Sequence, residues 1–228
     1  MVDYNFFYQE AIKLELMSIP EAKQFQNDLR NKLDFCNFEF SDDLRILGLD
    51  VSYKNNFAKA SAVVFDLKEK TTLQTSISKC AVRFPYIPGF LAFREVKPLF
   101  AAMRDINIDF DVIMVDGQGI AHPRRAGLAC HVGYILQKPT FGCAKSRLFG
   151  KEIGELGPKK GSFSPLVDKG ETIGAVLRTK DNTSALYISV GNLIDLNSAI
   201  EITLRCSVSR MPEPLKIADR LSKIMAEA

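Results

Sequence analysis

Two runs of this chain read as buried β-strands, and each carries an aspartate. RILGLDVSYK (45–54) holds Asp50 in its middle, and FDVIMVDGQG (110–119) ends on Asp116 and two glycines. A carboxylate taken out of water is costly unless it is paired, hydrogen-bonded or bound to a cation. A fold that accepts both runs must therefore give both carboxylates a use. In α/β sheets, ligand crevices form where strands end and open into loops. Asp50 and Asp116 would converge in such a crevice if their strands are neighbours in the centre of one sheet.

The rest of the chain supports such a sheet. AKASAVVFDL (58–67) and TTLQTSISKCAV (71–82) are strand-like and separated by the polar turn Lys68-Glu69-Lys70. With 45–54 they predict a three-stranded antiparallel meander. Ser18, Pro20 and Glu21 form a capping-box start. Ala22, Phe25, Leu29 and Leu33 then space out an N-terminal helix of about four turns. Further on, helix is expected over 88–105, strand over 110–119, and helix from near Pro123. The segment PTFGCAKS reads as a strand, 173–180 and 185–190 as β segments, and 195–206 and 213–227 as helices. A meander followed by alternating helix and strand predicts an α/β fold, a central mixed sheet with helices on both faces. No Pro-, Gly- or Ser-rich linker divides the chain, so residues 1–228 are read as a single domain.

Composition excludes more than it selects. Five cysteines, Cys36, Cys80, Cys130, Cys143 and Cys206, are scattered without C-x-x-C spacing, which argues for reduced, buried thiols and against a disulfide framework or a zinc site. No apolar run reaches about 18 residues, so no membrane span is expected. The N-terminus lacks the pattern of a signal peptide, and a cytoplasmic protein is expected. The formal charge of +3 decides little. Between Lys138 and Lys180, however, nine basic residues face four acidic ones, either a footprint for a polyanion or a solvated loop region.

Several residues could carry chemistry. Glu95 follows Asp50 and precedes Asp116, and a three-carboxylate cluster would favour a hard cation, Mg²⁺ or Mn²⁺, over zinc. The alternative is that Asp50 caps local backbone and Glu95 sits on a helix surface. DGQGIAHPRRAG (116–127) offers glycines for close backbone approach, then a helix start with free N–H groups for phosphate. Arg124 and Arg125 in that first turn either face a polyanion or are two exposed arginines on a tolerant helix. His122 lies beside these glycines, whereas His131 is read as structural. Lys145, ending an apolar strand, must either snorkel to solvent or meet an anion such as a phosphate. FPYIPGFLAFRE (84–95) is stiffened by Pro85 and Pro88, which makes a pre-ordered tip of Tyr86 and Ile87.

Taken together, GLDVSY (48–53), FPYIPGFLAFRE (84–95), VDGQGIAHPRRAGLA (115–129), GCAKS (142–146) and MPEPLKIADRLS (211–222) resemble the endonuclease V family, in the family's order and over almost the whole chain. The resemblance implies a ribonuclease H-like fold and a Mg²⁺-dependent nuclease, with Mn²⁺ able to substitute. The implied substrate is nucleic acid containing deoxyinosine or inosine, cut at the second phosphodiester bond 3′ to the lesion. The products would carry 3′-hydroxyl and 5′-phosphate ends, a DNA-repair activity expected of a monomer. By position, Asp50, Glu95 and Asp116 match metal-binding carboxylates, and Asp219 matches a fourth position where some members have histidine. His122 and Lys145 match polar residues beside the cut phosphate. Pro85, Tyr86, Ile87 and Pro88 match a wedge entering the duplex. Gly89, Leu91, Gly117, Leu128 and Leu148 match the pocket for the displaced base. The alternatives are an endoribonuclease acting mainly on inosine in RNA, and a binder of deaminated or branched nucleic acid that does not cut.

Overall fold

The computed structural model describes residues 4–54 and 57–224. The meander forms as expected: β1 (Arg45–Lys54), β2 (Phe57–Asp66) and β3 (Thr71–Ala81) pair antiparallel, with Asp50 opposite Ser61. On its other side β1 pairs in parallel with β4 (Val112–Val115), and β4 in parallel with β5 (Thr140–Ala144). Four more strands extend the sheet antiparallel: β6 (Lys151–Glu152), β7 (Phe163–Asp168), β8 (Glu171–Leu177) and β9 (Leu186–Asn192). The order across the sheet is β3-β2-β1-β4-β5-β9-β8-β7-β6. This is the mixed sheet that the pattern predicts.

Side-chain alternation assigns its two faces. Leu47, Leu49, Ile113 and Val115 join a core with α1 (Tyr4–Glu15), α3 (Leu91–Met103) and most of α4 (Leu128–Leu136). The even positions Ile46, Val112 and Met114 join a second core with α5 (Leu196–Arg205) and α6 (Glu213–Lys223). Helix α2 (Ile19–Arg30) has the capping box between Ser18 and Glu21. It gives Ala22 to one core and Leu29 to the other.

The structure differs from the sequence reading in definite places. Helix α1 was not anticipated; Ala11 and Leu14 bury its inner face. Helix α2 ends at Arg30, so Leu33 packs from beyond the helix. Helix α4 starts at Leu128 and not near Pro123, because Arg125 takes a left-handed backbone (φ 55) that no helix accommodates. Its N–H groups are not all free for phosphate either: Ala129 donates to the Gln118 carbonyl at 3.0 Å. Strands β6 and β7 were missed; Pro165 lies inside β7 and weakens its strand signature. The expected C-terminal helix runs to Lys223, and residues 225–227 of that expectation lie outside the described residues. Cys130, Cys143 and Cys206 are buried thiols, but Cys36 is exposed and Cys80 half-buried. Among the described residues no helix is long and apolar enough to cross a membrane.

Candidate active site

The site begins with a glycine. A Cβ on Gly48 would stand 2.7 Å from the backbone carbon of Pro214, so only glycine lets α6 lie this close on β1. Ser61 on β2 fixes the same helix by donating to the Ala218 carbonyl at 2.7 Å. Asp50 is in phase with Ile46 and Gly48, and Asp116 with Val112 and Met114, so both carboxylates emerge on the face that α6 covers. Asp219 reaches them from α6. One oxygen from each of Asp50, Asp116 and Asp219 lies within 4.8 Å of the others.

Lys145, just past β5, places its Nζ 2.6 Å from Asp116 Oδ2 and 2.8 Å from Asp219 Oδ1. The anion expected for this lysine is thus supplied by the cluster. Burial would lower the ammonium's pKa, but these two hydrogen bonds outweigh it and hold the pKa above its ordinary value. Lys223 donates to Asp219 Oδ2 at 2.7 Å. Ser222 donates to Asp50 Oδ2 at 2.6 Å. Burial raises Asp50 to about 6 despite that bond.

Glu95 stands outside the three-aspartate group. It belongs to α3, on the opposite face of the sheet, and meets Tyr53, whose hydroxyl donates to Glu95 Oε1 at 3.2 Å. Burial, with smaller contributions from Asp50 and Asp116, pushes its carboxyl up to about 8.

His122 is buried with both ring nitrogens engaged. Nδ1 accepts the Arg124 N–H at 3.2 Å, so Nε2 carries the proton and donates to the Gly89 carbonyl at 3.0 Å. Burial, then the neighbouring Arg124 charge, lowers its pKa to about 3, so the ring is neutral. Arg124 and Arg125 do not face a polyanion. Arg125 is buried against Asp168 and Glu171, and Arg124 turns inward to the Gly89 carbonyl. Much of the basic surplus is held locally too: Lys159 by Asp181, Lys160 by the Ser207 carbonyl, Arg178 by the Gly157 carbonyl.

All five expected pocket residues, Gly89, Leu91, Gly117, Leu128 and Leu148, line one cleft of about 610 Å³ that also contains Asp50, Glu95, Asp116, Lys145 and Asp219. Tyr86, Ile87 and Pro88 form its rim. Tyr86 is 72% exposed, whereas Ile87 is half-buried against the core. Of these two side chains it is the tyrosine that projects into solvent. Three residues that the sequence reading passed over also shape the cleft. Gln118 Nε2 holds the Ser146 carbonyl at 2.9 Å, Ser222 holds Asp50, and Gln26 reaches in from α2. Gln26 had a signal, being polar between Ala22 and Leu29 on an apolar stripe, and Ser222 sits one turn past Asp219.

The family model for Endonuclease V matches residues 27–220. The chain belongs to the endonuclease V family. Endonuclease V from Methanothrix thermoacetophila is 48% identical over 203 residues, 89% of each chain. The crystal structure of endonuclease V from Streptomyces avermitilis is 33% identical, with a TM-score of 0.85 over 90% of this chain and 92% of that one. Endonuclease V from Ciona intestinalis, solved with a 24mer DNA containing an inosine followed by a ribo-adenosine, is 28% identical. Its TM-score is 0.79 over 90% of this chain and 96% of that one. Membership makes the chain a nuclease with a ribonuclease H-like sheet, and it implies a divalent metal ion. The residues present fit one: three converging carboxylates, with no cysteine or histidine among them, are the donors a hard cation prefers.

Proposed function

We propose that this chain is a divalent-metal-dependent endonuclease that recognises inosine or deoxyinosine in nucleic acid. It hydrolyses the second phosphodiester bond 3′ to the lesion and leaves 3′-hydroxyl and 5′-phosphate ends. The observation that carries this reading is one cleft lined both by the three-aspartate cluster and by the Tyr86 tip. The Ciona relative's inosine-containing DNA supports the same substrate class.

Asp50, Asp116 and Asp219 would hold Mg²⁺ or Mn²⁺, with Glu95 behind them from the other face of the sheet. Bound there, the ion supplies Lewis-acid neutralisation of phosphate charge. Lys145 brings a fixed positive charge to the same place, able to support the charge that develops on the phosphate. His122, with both nitrogens committed, acts as a positioning residue and moves no proton. Tyr86 stacks on bases at the gap, held by Pro85 and Pro88 with Ile87 as its packed foot. The displaced base enters the pocket of Gly89, Leu91, Gly117, Leu128 and Leu148. Hypoxanthine lacks the exocyclic amine of guanine, so a close-fitting pocket rejects guanine by clash and adenine by mismatched donors and acceptors.

The test is a labelled oligonucleotide with one deoxyinosine, incubated with the protein and Mg²⁺, beside a matched RNA with one inosine. The expected result is a nick one nucleotide past the lesion in at least one of them, abolished in Asp50→Ala while binding survives. Binding without a nick under any divalent ion would leave a non-cutting binder. Cleavage of RNA alone would make the chain an endoribonuclease.

A further inference from the structure

Three side chains converge on one backbone oxygen. The Gly89 carbonyl accepts from Arg124 Nη2 at 2.6 Å, His122 Nε2 at 3.0 Å and Gln26 Nε2 at 3.0 Å. Gly89 directly follows Pro85–Pro88 and has φ +81. The left-handed backbone favours glycine, and a Cβ there would also stand only 3.0 Å from Arg124 Nη2, crowding the cradle.

Gln26 completes the arrangement from a distant part of the chain. It is 1% exposed, on α2. Its second amide hydrogen goes to the Ala126 carbonyl at 3.1 Å, and its Oε1 accepts from Arg124 Nε at 2.5 Å. The Nε and Nη2 of one guanidinium thus grip Gln26 and Gly89 together, while the same group lies 4.3 Å over the Phe90 ring. The amide satisfies its two donors and its acceptor at once, and each partner lies on the loop before α3 or the loop before α4. None of these contacts touches the three-aspartate cluster.

We propose that Gln26 is a positioning residue for lesion recognition. Through Arg124 and the Gly89 carbonyl, it clamps the Pro85–Pro88 tip in register with the base pocket. The inference rests on the reading of that tip as a wedge. A tip that is already ordered loses little freedom on entering a duplex, so a loosened tip binds the lesion more weakly and discriminates less. Chemistry at the carboxylates is affected less, because they hang on β1, the loop after β4, and α6.

The chain has no tryptophan, so Tyr86→Trp places a single fluorophore at the exposed tip. In that background Gln26→Met, which keeps length and removes all three hydrogen bonds, should lower tryptophan anisotropy in the protein alone. With Tyr86 restored, Gln26→Met should lower the preference for an inosine over an adenosine oligonucleotide about tenfold, through KM more than kcat. Gln26→Glu, which keeps the acceptor for Arg124 and loses both donors to carbonyls, should fall between. If Gln26→Met does not fold, Arg124→Lys removes the fork and is held to the same expectations. Unchanged anisotropy in a folded variant overturns the clamp, and a looser tip with unchanged preference overturns its role in recognition. If the unsubstituted chain shows no preference for inosine, the wedge reading fails, and the anisotropy result alone decides whether Gln26 holds the tip.

Discussion

Ser222→Ala removes a single hydroxyl and should cost the site most of its metal affinity at neutral pH. Ser222 and Asp50 are both buried, and their 2.6 Å hydrogen bond is the main contribution opposing Asp50's desolvation. A hydrogen bond to a charged group contributes about 1.5–3 kcal/mol, roughly one to two pKa units. Losing it carries Asp50 from about 6 past neutrality. A protonated carboxyl is a poor ligand for a hard cation, so the cation must then displace a proton. Mn²⁺ affinity at pH 7 should fall by about 10- to 100-fold, the usual range for losing a partner of a metal ligand. Calorimetric titration of Mn²⁺ into wild type and variant at pH 7 and pH 9 reads this directly. The deficit should be large at pH 7 and shrink at pH 9, where Asp50 ionises in both. Equal affinity at pH 7 refutes the argument. A loss of the same size at both pH values refutes it too, since that outcome means α6 has moved and Asp50's charge is not the cause.

Gly48→Ala forces a methyl against the Pro214 backbone. It should lower stability by about 1–3 kcal/mol in urea unfolding and weaken Mn²⁺ binding, because Asp219 and Ser222 move with α6. Lys145→Met removes the ammonium that competes for Asp116 and Asp219. Mn²⁺ should bind more tightly while kcat drops by about 10²-fold or more, and weaker Mn²⁺ binding would contradict the competition. Without divalent ions, Glu95 keeps a proton in the folded chain that the unfolded chain has lost, from its ordinary value near 4.5 up to about 8. Stability therefore falls with rising pH across that window, by at most about 1.4 kcal/mol per pH unit from this group. Glu95→Gln should flatten that part of the slope in urea midpoints at pH 5 and pH 8, and parallel curves would remove Glu95 as its source.

Local sterics and periodic burial are written along the chain, and the elements that depend on them were legible. The meander, the capping box at Ser18, and the two central strands, with Asp50 inside one and Asp116 at the end of the other, follow from alternation, turn residues and caps within a few positions. Pro165 in β7 and the left-handed Arg125 before α4 show where this reasoning stops. There the pairing of distant segments overrides local preference, so β7 was missed, with β6 that pairs to it, and one helix was started five residues early. Asp219 was legible only through the resemblance, since nothing about a carboxylate on an amphipathic helix says which sheet face it meets.

What the tertiary structure alone decided is who partners whom over long separations. Ser222 meets Asp50 across 172 residues, and Gln26 meets Gly89 across 63. Arg124 and Arg125, which could have faced a polyanion, turn inward because the Gly89 carbonyl and the carboxylates of Asp168 and Glu171 are there to receive them. A hydrogen bond of this kind depends on the close approach of packed elements, as of α6 on Gly48. Close approach is a property of the assembled core and of no short stretch of sequence.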